Sequence, residues 1–497
     1  MMAHHYEEYR LSSLDLLPEE NVEESSNRLL MEETGVESQT RTKSNYEMLI
    51  LTLSLAGLQS AYCSQFADGT DYLMSIGISP TVIASIWIIP PLCGATFQPL
   101  FGILSDALKA KLGRREPLLL LGGLGLLCAL IIQAWSSTIA NGLDGSCQGA
   151  WPACWTKVFV AIFAVVMLYA SAQAVQVATR TKMVDMCPAS QQLKLNTLAS
   201  RLISLTSVLY YILSYGLPPL ATVELRMQEL ALISVIISVG TISIASVEGW
   251  ESLPHSPPKA CSSMATPGEG SYIQRVKDSV TTRMFKILAV QFLSSFAWFP
   301  YLFFISRHIT EKGHTEGNTT ERLGPLALFL QSVVHLITTF ALPFLASHTA
   351  RDTLPSTKAL GFLHFEPLQI WRLSQVLYSV CVAGILLTKS TAFALLLAAL
   401  IGFSWAVMQI IPYTILTDEF LLKNGGEPRR LNSSGLFLGI NNLSMTIPQI
   451  IAGVICTTIF STVSEKHTES MFNGMTGSLA IGSMVSLLAT VVSFCIL

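Results

Sequence analysis

Four residues on the fourth long apolar run carry the most suggestive chemistry in the chain. Tyr169, Gln173, Gln176 and Arg180 follow one another at intervals of four, three and four. At 100° per residue, positions 169 and 180 differ by only about 20° around a helix. One phenol, two amides and a guanidinium on a single stripe can make many hydrogen bonds where water is scarce. A hydroxyl-rich solute needs such a surface, with its hydroxyls satisfied by amides and charged groups and its apolar ring faces packed on aromatics. The first apolar run offers a second one, where Gln59, Tyr62, Gln65 and Phe66 fall within about 120°. Trp298 with Phe299 offers a stacking plane on the seventh. Singly, each Gln or Tyr serves equally well as glue between helices; their convergence is what points to binding.

Proton-coupled movement of a solute requires a group that changes protonation within the path, and neither Gln65 nor Tyr169 titrates usefully near neutrality. The groups available are Asp68, Asp71, Asp185 and His335. Asp68 lies one turn beyond Gln65; it joins the path if the first helix extends past it and is otherwise a solvated loop residue. Asp185 is about 140° round from Arg180, which suits a gate or clasp. His335, inside the eighth run, either titrates in the path or packs through a hydrogen bond. Between the second and third runs, Gly102, Ser105, Asp106, Gly113, Arg114 and Arg115 form a further constellation. A Gly that lets helices approach, an Asp at a helix end and paired Arg after a turn make an interhelix charge clasp.

These residues sit in a chain of 497 that is 51% apolar and only 13% charged, against about 25% charged in soluble domains. With 30 basic and 33 acidic residues there is no positive field to hold nucleic acid. Spans of about 20 apolar residues cross a bilayer, and twelve are predicted: 46–66, 81–104, 117–136, 156–180, 200–220, 227–247, 285–306, 324–346, 370–388, 391–417, 433–460 and 473–497. The expected fold is an all-α polytopic membrane protein with the lipid bilayer as its surroundings. Residues 1–45 hold ten acidic residues and read as a cytosolic disordered tail. A Pro-, Ser- and Gly-rich stretch at 248–284 reads as a cytosolic linker between six-helix bundles at 46–247 and 285–497. With the amino terminus inside, short inner loops hold twelve Lys and Arg and outer loops six, as the positive-inside rule prefers. That orientation places the glycosylation triplet at Asn318 outside, together with Cys147 and Cys154, which either bridge or stay as thiols.

No Walker-type phosphate loop, H-E-x-x-H, G-x-S-x-G or C-x-x-C occurs, so neither ATP use nor an enzyme is expected. No cysteine or histidine spacing suits a metal, and no cofactor is expected beyond a proton gradient.

The Gly102–Asp106–Gly113–Arg114–Arg115 pattern resembles the signature of the major facilitator superfamily. Over about 46–460 the chain resembles its sucrose-transporter group, the glycoside-pentoside-hexuronide cation symporters of plants and fungi. The resemblance rests on GTDYLMSIGIS and SDALKAKLGRREP in 57–117, Val177–Arg180, Ala199–Arg201, Ala297–Pro300, and Ile447–Gln449. It implies twelve helices in two six-helix bundles and import of sucrose or a related α-glucoside, usually with a proton, by alternating access. It also gives Arg180 a substrate role and makes the plasma membrane the expected location, with the vacuolar membrane as the other. The group's carboxylates on the first and fourth helices are replaced by Gln65 and Tyr169. A facilitator, or a non-transporting sugar sensor on the same scaffold, is the alternative those losses raise.

Overall fold

A computed structural model describes residues 42–107, 115–144, 155–187, 189–216, 222–251, 281–315, 322–345, 366–423, 434–464 and 470–497. All regular structure among them is helical: α1 Asn45–Ser64, α2 Thr70–Ser75, α3 Pro80–Ile86, α4 Ile89–Ala107, α5 Glu116–Ala134, α6 Ser136–Leu143, α7 Trp155–Met186, α8 Ala189–Gly216, α9 Val223–Glu251, α10 Thr282–Thr315, α11 Leu323–Leu345, α12 Pro367–Leu387, α13 Thr391–Lys423, α14 Ser434–Ser464 and α15 Ser470–Ile496. The predicted spans correspond in order to α1, α3 with α4, α5, α7, α8, α9, then α10 to α15. Most of the tail and of the linker, with Cys147, Cys154 and Asn318, lie outside the described residues.

Eleven of these segments are long and apolar enough to cross a membrane. The first span falls short because it is surrounded by protein rather than lipid: Thr52, Ser54, Ser60, Ser64 and Gln65 are all buried. Its start is fixed by a capping box, in which Ser44 Oγ accepts from the Glu47 amide at 3.2 Å and a Glu47 oxygen accepts from the Ser44 amide at 2.7 Å. The helix does not end at Ser64. It widens into one π-helical turn, Gln65–Gly69, and continues as α2. Gly77 then turns the chain at φ 90°, a conformation that favours glycine. Four spans carry an internal proline, Pro99, Pro300, Pro412 and Pro448, which is tolerated where neighbouring helices satisfy the freed carbonyls.

Within each half, small residues bring backbones together. A Cβ on Gly122 of α5 would lie 2.8 Å from the Ala174 Cβ of α7, and one on Gly402 of α13 would lie 2.2 Å from the Gln331 carbonyl of α11. The halves meet where α8 packs on α11, where α14 packs on α3 and α4, and where α10 packs on the π turn. The membrane side on which α1 begins is termed the near side below, and the opposite one the far side.

Candidate substrate site and gate between the halves

A small cavity of about 40 Å³ lies between the halves, room for a few waters and far less than a drug-sized ligand occupies. Its N-terminal wall is Gln59, Phe66, Ser207 and Tyr211; its C-terminal wall is Tyr301, Leu302, Leu328, Gln331, Ser332, His335 and Trp405. The polar groups are held in place. Tyr301 donates to Gln331 Oε1 at 2.8 Å, and Gln59 Nε2 donates to Ser207 Oγ at 3.0 Å. His335 Nε2 is buried without a hydrogen-bond partner among the described residues. Trp298 sits behind this wall. Its ring lies 4.8 Å from Trp405, 5.4 Å from Tyr301 and 4.5 Å from Tyr378, and Tyr378 is fixed by a 2.7 Å bond to the Ala297 carbonyl. The stacking faces toward the cavity therefore belong to Trp405 and Tyr301, with Trp298 buttressing both.

The stripe on α7 lies on the other side of α1. Tyr169 stacks on Tyr62 at 6.0 Å, and Tyr62 on Phe66 at 6.3 Å, so an aromatic ladder joins the stripe to the cavity. The Tyr169 hydroxyl is buried and unbonded. Gln173 faces Gly94 of α4, whose carbonyl accepts from Asn442 of α14 at 3.2 Å. Exposure rises along the stripe toward the near side: Tyr169 and Gln173 are buried, Gln176 is half-buried and Arg180 is exposed. Of the sequence candidates, Gln59, Phe66 and His335 line the cavity. Gln65 is turned away from it and exchanges two amide hydrogen bonds with Gln133 of α5, each 2.9 Å.

Asp68 is not a solvated loop residue. The π turn carries the first helix past it, and it is buried against Arg226 of α9 at 2.8 Å, with its Oδ2 unpartnered among the described residues. One turn further, Asp71 pairs with Arg307 of α10 at 3.2 Å, and Arg307 also pairs with Glu311. Arg226, Arg307 and Lys312, three of the six Lys and Arg that the predicted spans leave in outer loops, lie within helices. Two further bonds close the far side. Thr70 Oγ1 donates to the Phe303 carbonyl at 2.9 Å, and Ser306 Oγ donates to the Ala67 carbonyl at 2.8 Å. The Phe303 ring fits between Phe66, edge-on at 5.6 Å, and Trp87, stacked at 4.7 Å.

On the near side, Arg115 donates to Ser105 at 2.7 Å, while buried Lys182 of α7 pairs with Glu116 of α5 at 3.2 Å and donates to the Ala245 carbonyl of α9. Among the described residues, nothing lies within 4 Å of a Cβ placed on Gly102. Gly113 and Arg114 lie outside the described residues, as do the side chains of Asp106 and Asp185. Sequence reasoning missed Trp405, Tyr301 and Gln331. The available signal was polar or aromatic side chains spaced along the seventh, eighth and tenth runs.

A helical protein of two six-helix halves, with a polar-aromatic cavity and the Asp71–Arg307 ion pair between them, defines a polytopic membrane protein of the transporter class. The family model of the Major Facilitator Superfamily matches residues 48–453, and the chain belongs to that superfamily. It is 26% identical to the general alpha-glucoside permease of Schizosaccharomyces pombe, over 90% of this chain and 93% of that one. It is 23% identical to the sucrose transport protein SUT5 of Oryza sativa subsp. japonica, over 85% and 83%. Among solved structures, a D-xylose-proton symporter matches with TM-score 0.62 at 13% identity, covering 91% of this chain and 98% of that one. The nucleoside transporter NupG matches with TM-score 0.53 at 11% identity, covering 91% and 99%.

Proposed function

We propose that this chain transports sucrose or a related α-glucoside across the plasma membrane by alternating access, with its amino terminus in the cytosol and a proton as the co-substrate. The observation that carries the reading is the cavity wall itself. Trp405 and Tyr301 line the cavity beside the Gln59 and Gln331 amides and His335, the combination of residue types that packs a sugar ring and satisfies its hydroxyls. Similarity over nine-tenths of the chain to an alpha-glucoside permease supports the substrate class. The bonds clustered at the far side fit a state closed to the outside, and the rising exposure from Tyr169 to Arg180 fits a route toward the cytosol. The cavity would widen to admit a disaccharide as the halves rock.

Asp68 is the coupling group in this reading. Its Oδ1 is held by Arg226, and its buried Oδ2 is left open for a proton. A facilitator is favoured instead by one specific observation, that Asp68 and Asp71 are both neutralised by arginines. Uptake of labelled sucrose and maltose by transport-deficient cells expressing the chain, with and without an uncoupler, tests both. No uptake of any disaccharide overturns the sugar reading, and sugar binding without flux makes the chain a sensor. Uptake indifferent to the uncoupler makes it a facilitator.

A further inference from the structure

We propose that the crevice between α8 and α11 on the near side is a binding site for the phosphate of an anionic phospholipid, with Arg201 as its principal ligand. Arg201 lies within the apolar span Lys194–Gly216, seven residues and so about 10 Å in from its edge. A charge at that depth normally has a partner. Arg201 forms no ion pair or hydrogen bond through its guanidinium among the described residues, and its Nε is buried and unbonded. Its guanidinium instead stacks on Phe340 of the opposite half, whose ring centroid lies 4.3 Å from the guanidinium carbon. The ring face favours the cation but accepts none of the N–H groups in the guanidinium plane.

The direction in which Arg201 points identifies what supplies the missing anion. Lys194, Arg201, Leu205 and Ile212 fall within about 40° of one another on α8. Lys194 is exposed, Leu205 is 42% and Ile212 46% exposed, and across the crevice Ile337 is 61% and Phe340 50% exposed. In a membrane-spanning chain such a stripe faces acyl chains, not the transport path. The span begins on the side where the Lys43 amide bonds Gln191 at 2.8 Å, so Lys194 marks the headgroup level of the near leaflet. Arg201, held over Phe340, lies within snorkelling distance of that level for a long cationic side chain. A lipid phosphate lowered slightly beside Lys194 would accept two N–H bonds from the guanidinium fork, its acyl chains lying on Leu205, Ile212 and Ile337. Because Arg201 and Phe340 belong to different halves, such a lipid would sit where the halves move against each other.

The test uses the purified full-length chain in nanodiscs of phosphatidylcholine alone or mixed with phosphatidylserine, read by native mass spectrometry for retained lipid and by thermal unfolding. The wild type is expected to retain phosphatidylserine and unfold at a higher temperature in its presence. Arg201→Gln is expected to lose both effects, with affinity reduced about fivefold or more, the contribution of one cation near a charged leaflet. Lys389→Gln, an exposed charge on the far side, keeps both. Unchanged phosphatidylserine retention by Arg201→Gln, or equal retention of phosphatidylcholine by the wild type, overturns the proposal. If Arg201→Gln is not recovered folded, Lys194→Gln carries the same test, with the same fivefold expectation and the same overturning result. Neither readout depends on which solute the chain transports.

Discussion

Asp71 of the first span and Arg307 of the seventh meet across the two halves at 3.2 Å, one turn beyond the buried Asp68–Arg226 pair. The two ion pairs differ in kind: the first joins opposite halves, and the second lies within the N-terminal half. Rocking the halves apart on the far side must break Asp71–Arg307 and leave Asp68–Arg226 intact.

Asp71→Asn and Arg307→Gln are therefore expected to loosen the far-side closure. Losing a partly buried charged hydrogen bond costs about 1–3 kcal/mol, which shifts the conformational equilibrium by roughly five- to a hundredfold. A cysteine placed at Leu328, on the cavity wall, in a background free of reactive thiols, would report this. Its modification by an impermeant maleimide from the far side should accelerate in either variant. An unchanged rate would show that Thr70, Ser306 and the Phe303 slot hold the gate without the ion pair.

Gln65 and Gln133 make an independent case. Each amide both donates and accepts, so truncating either one strands a buried partner at a cost of about 1–3 kcal/mol. Gln65→Ala and Gln133→Ala should each lower the unfolding midpoint, and the double variant should lose less than the sum of the two. Gln65→Glu is expected to be destabilising as well, because it removes the donor that faces Gln133 Oε1. A thermal melt of the four proteins checks this, and strict additivity would show that the pair does not act as a unit.

Much of the scaffold was legible in the sequence because bilayer thickness imposes it: a run of some 20 apolar residues has few other uses. The π turn was not legible, since nothing in Gln65–Gly69 distinguishes five residues in a wide turn from five in an ordinary one. The burial of Asp68 followed from that turn and from Arg226, 158 positions away in sequence, where no local pattern links them. Gln59 and His335 were legible as polar groups within apolar runs. Trp298 was legible only as an aromatic in the right region; the neighbouring helices, which decide which ring faces the cavity, put Trp405 in front of it. Gln65 shows the same limit from the other side, an amide that looked available until a second amide on α5 was found to consume it.

The order of those two tryptophans has measurable consequences. Trp405→Leu removes a ring at the cavity and is expected to raise the half-saturation concentration for sugar about tenfold, the equivalent of about 1.4 kcal/mol. Trp298→Leu leaves that ring present but unsupported, so it should mainly lower thermal stability, through loss of contact with Tyr301, Tyr378 and Trp405. Concentration dependence of uptake, beside melts of the same preparations, separates the two. A larger binding effect for Trp298 than for Trp405 would reverse the assignment.

Gly402 positions two of the polar cavity residues of α11, Gln331 and His335, by having no side chain. A Cβ there would lie 2.2 Å from the Gln331 carbonyl and 2.9 Å from the His335 amide, distances that only a shift of backbone relieves. Gly402→Ala should cost about 1–3 kcal/mol by overpacking and displace both side chains together, so uptake should fall more than for Gln331→Ala alone. Wild-type uptake by Gly402→Ala would mean that α11 yields without disturbing the site.

The coupling role proposed for Asp68 is the sharpest division between symporter and facilitator. In proteoliposomes with an imposed proton gradient, the wild type should accumulate sugar above equilibrium and stop doing so when an uncoupler is added. Asp68→Asn keeps the volume of the side chain and one acceptor for Arg226 but removes the carboxylate oxygen that would hold the proton. It should still equilibrate sugar and exchange labelled for unlabelled substrate, yet no longer accumulate it. Arg226→Lys, which keeps the charge opposite Asp68, should retain accumulation. If Asp68→Asn accumulates sugar as the wild type does, the proton is carried elsewhere, and His335, buried beside the cavity with a free Nε2, becomes the group to test. If the wild type itself never exceeds equilibrium, the paired arginines have left no carboxylate in the path free to couple, and the chain works as a facilitator.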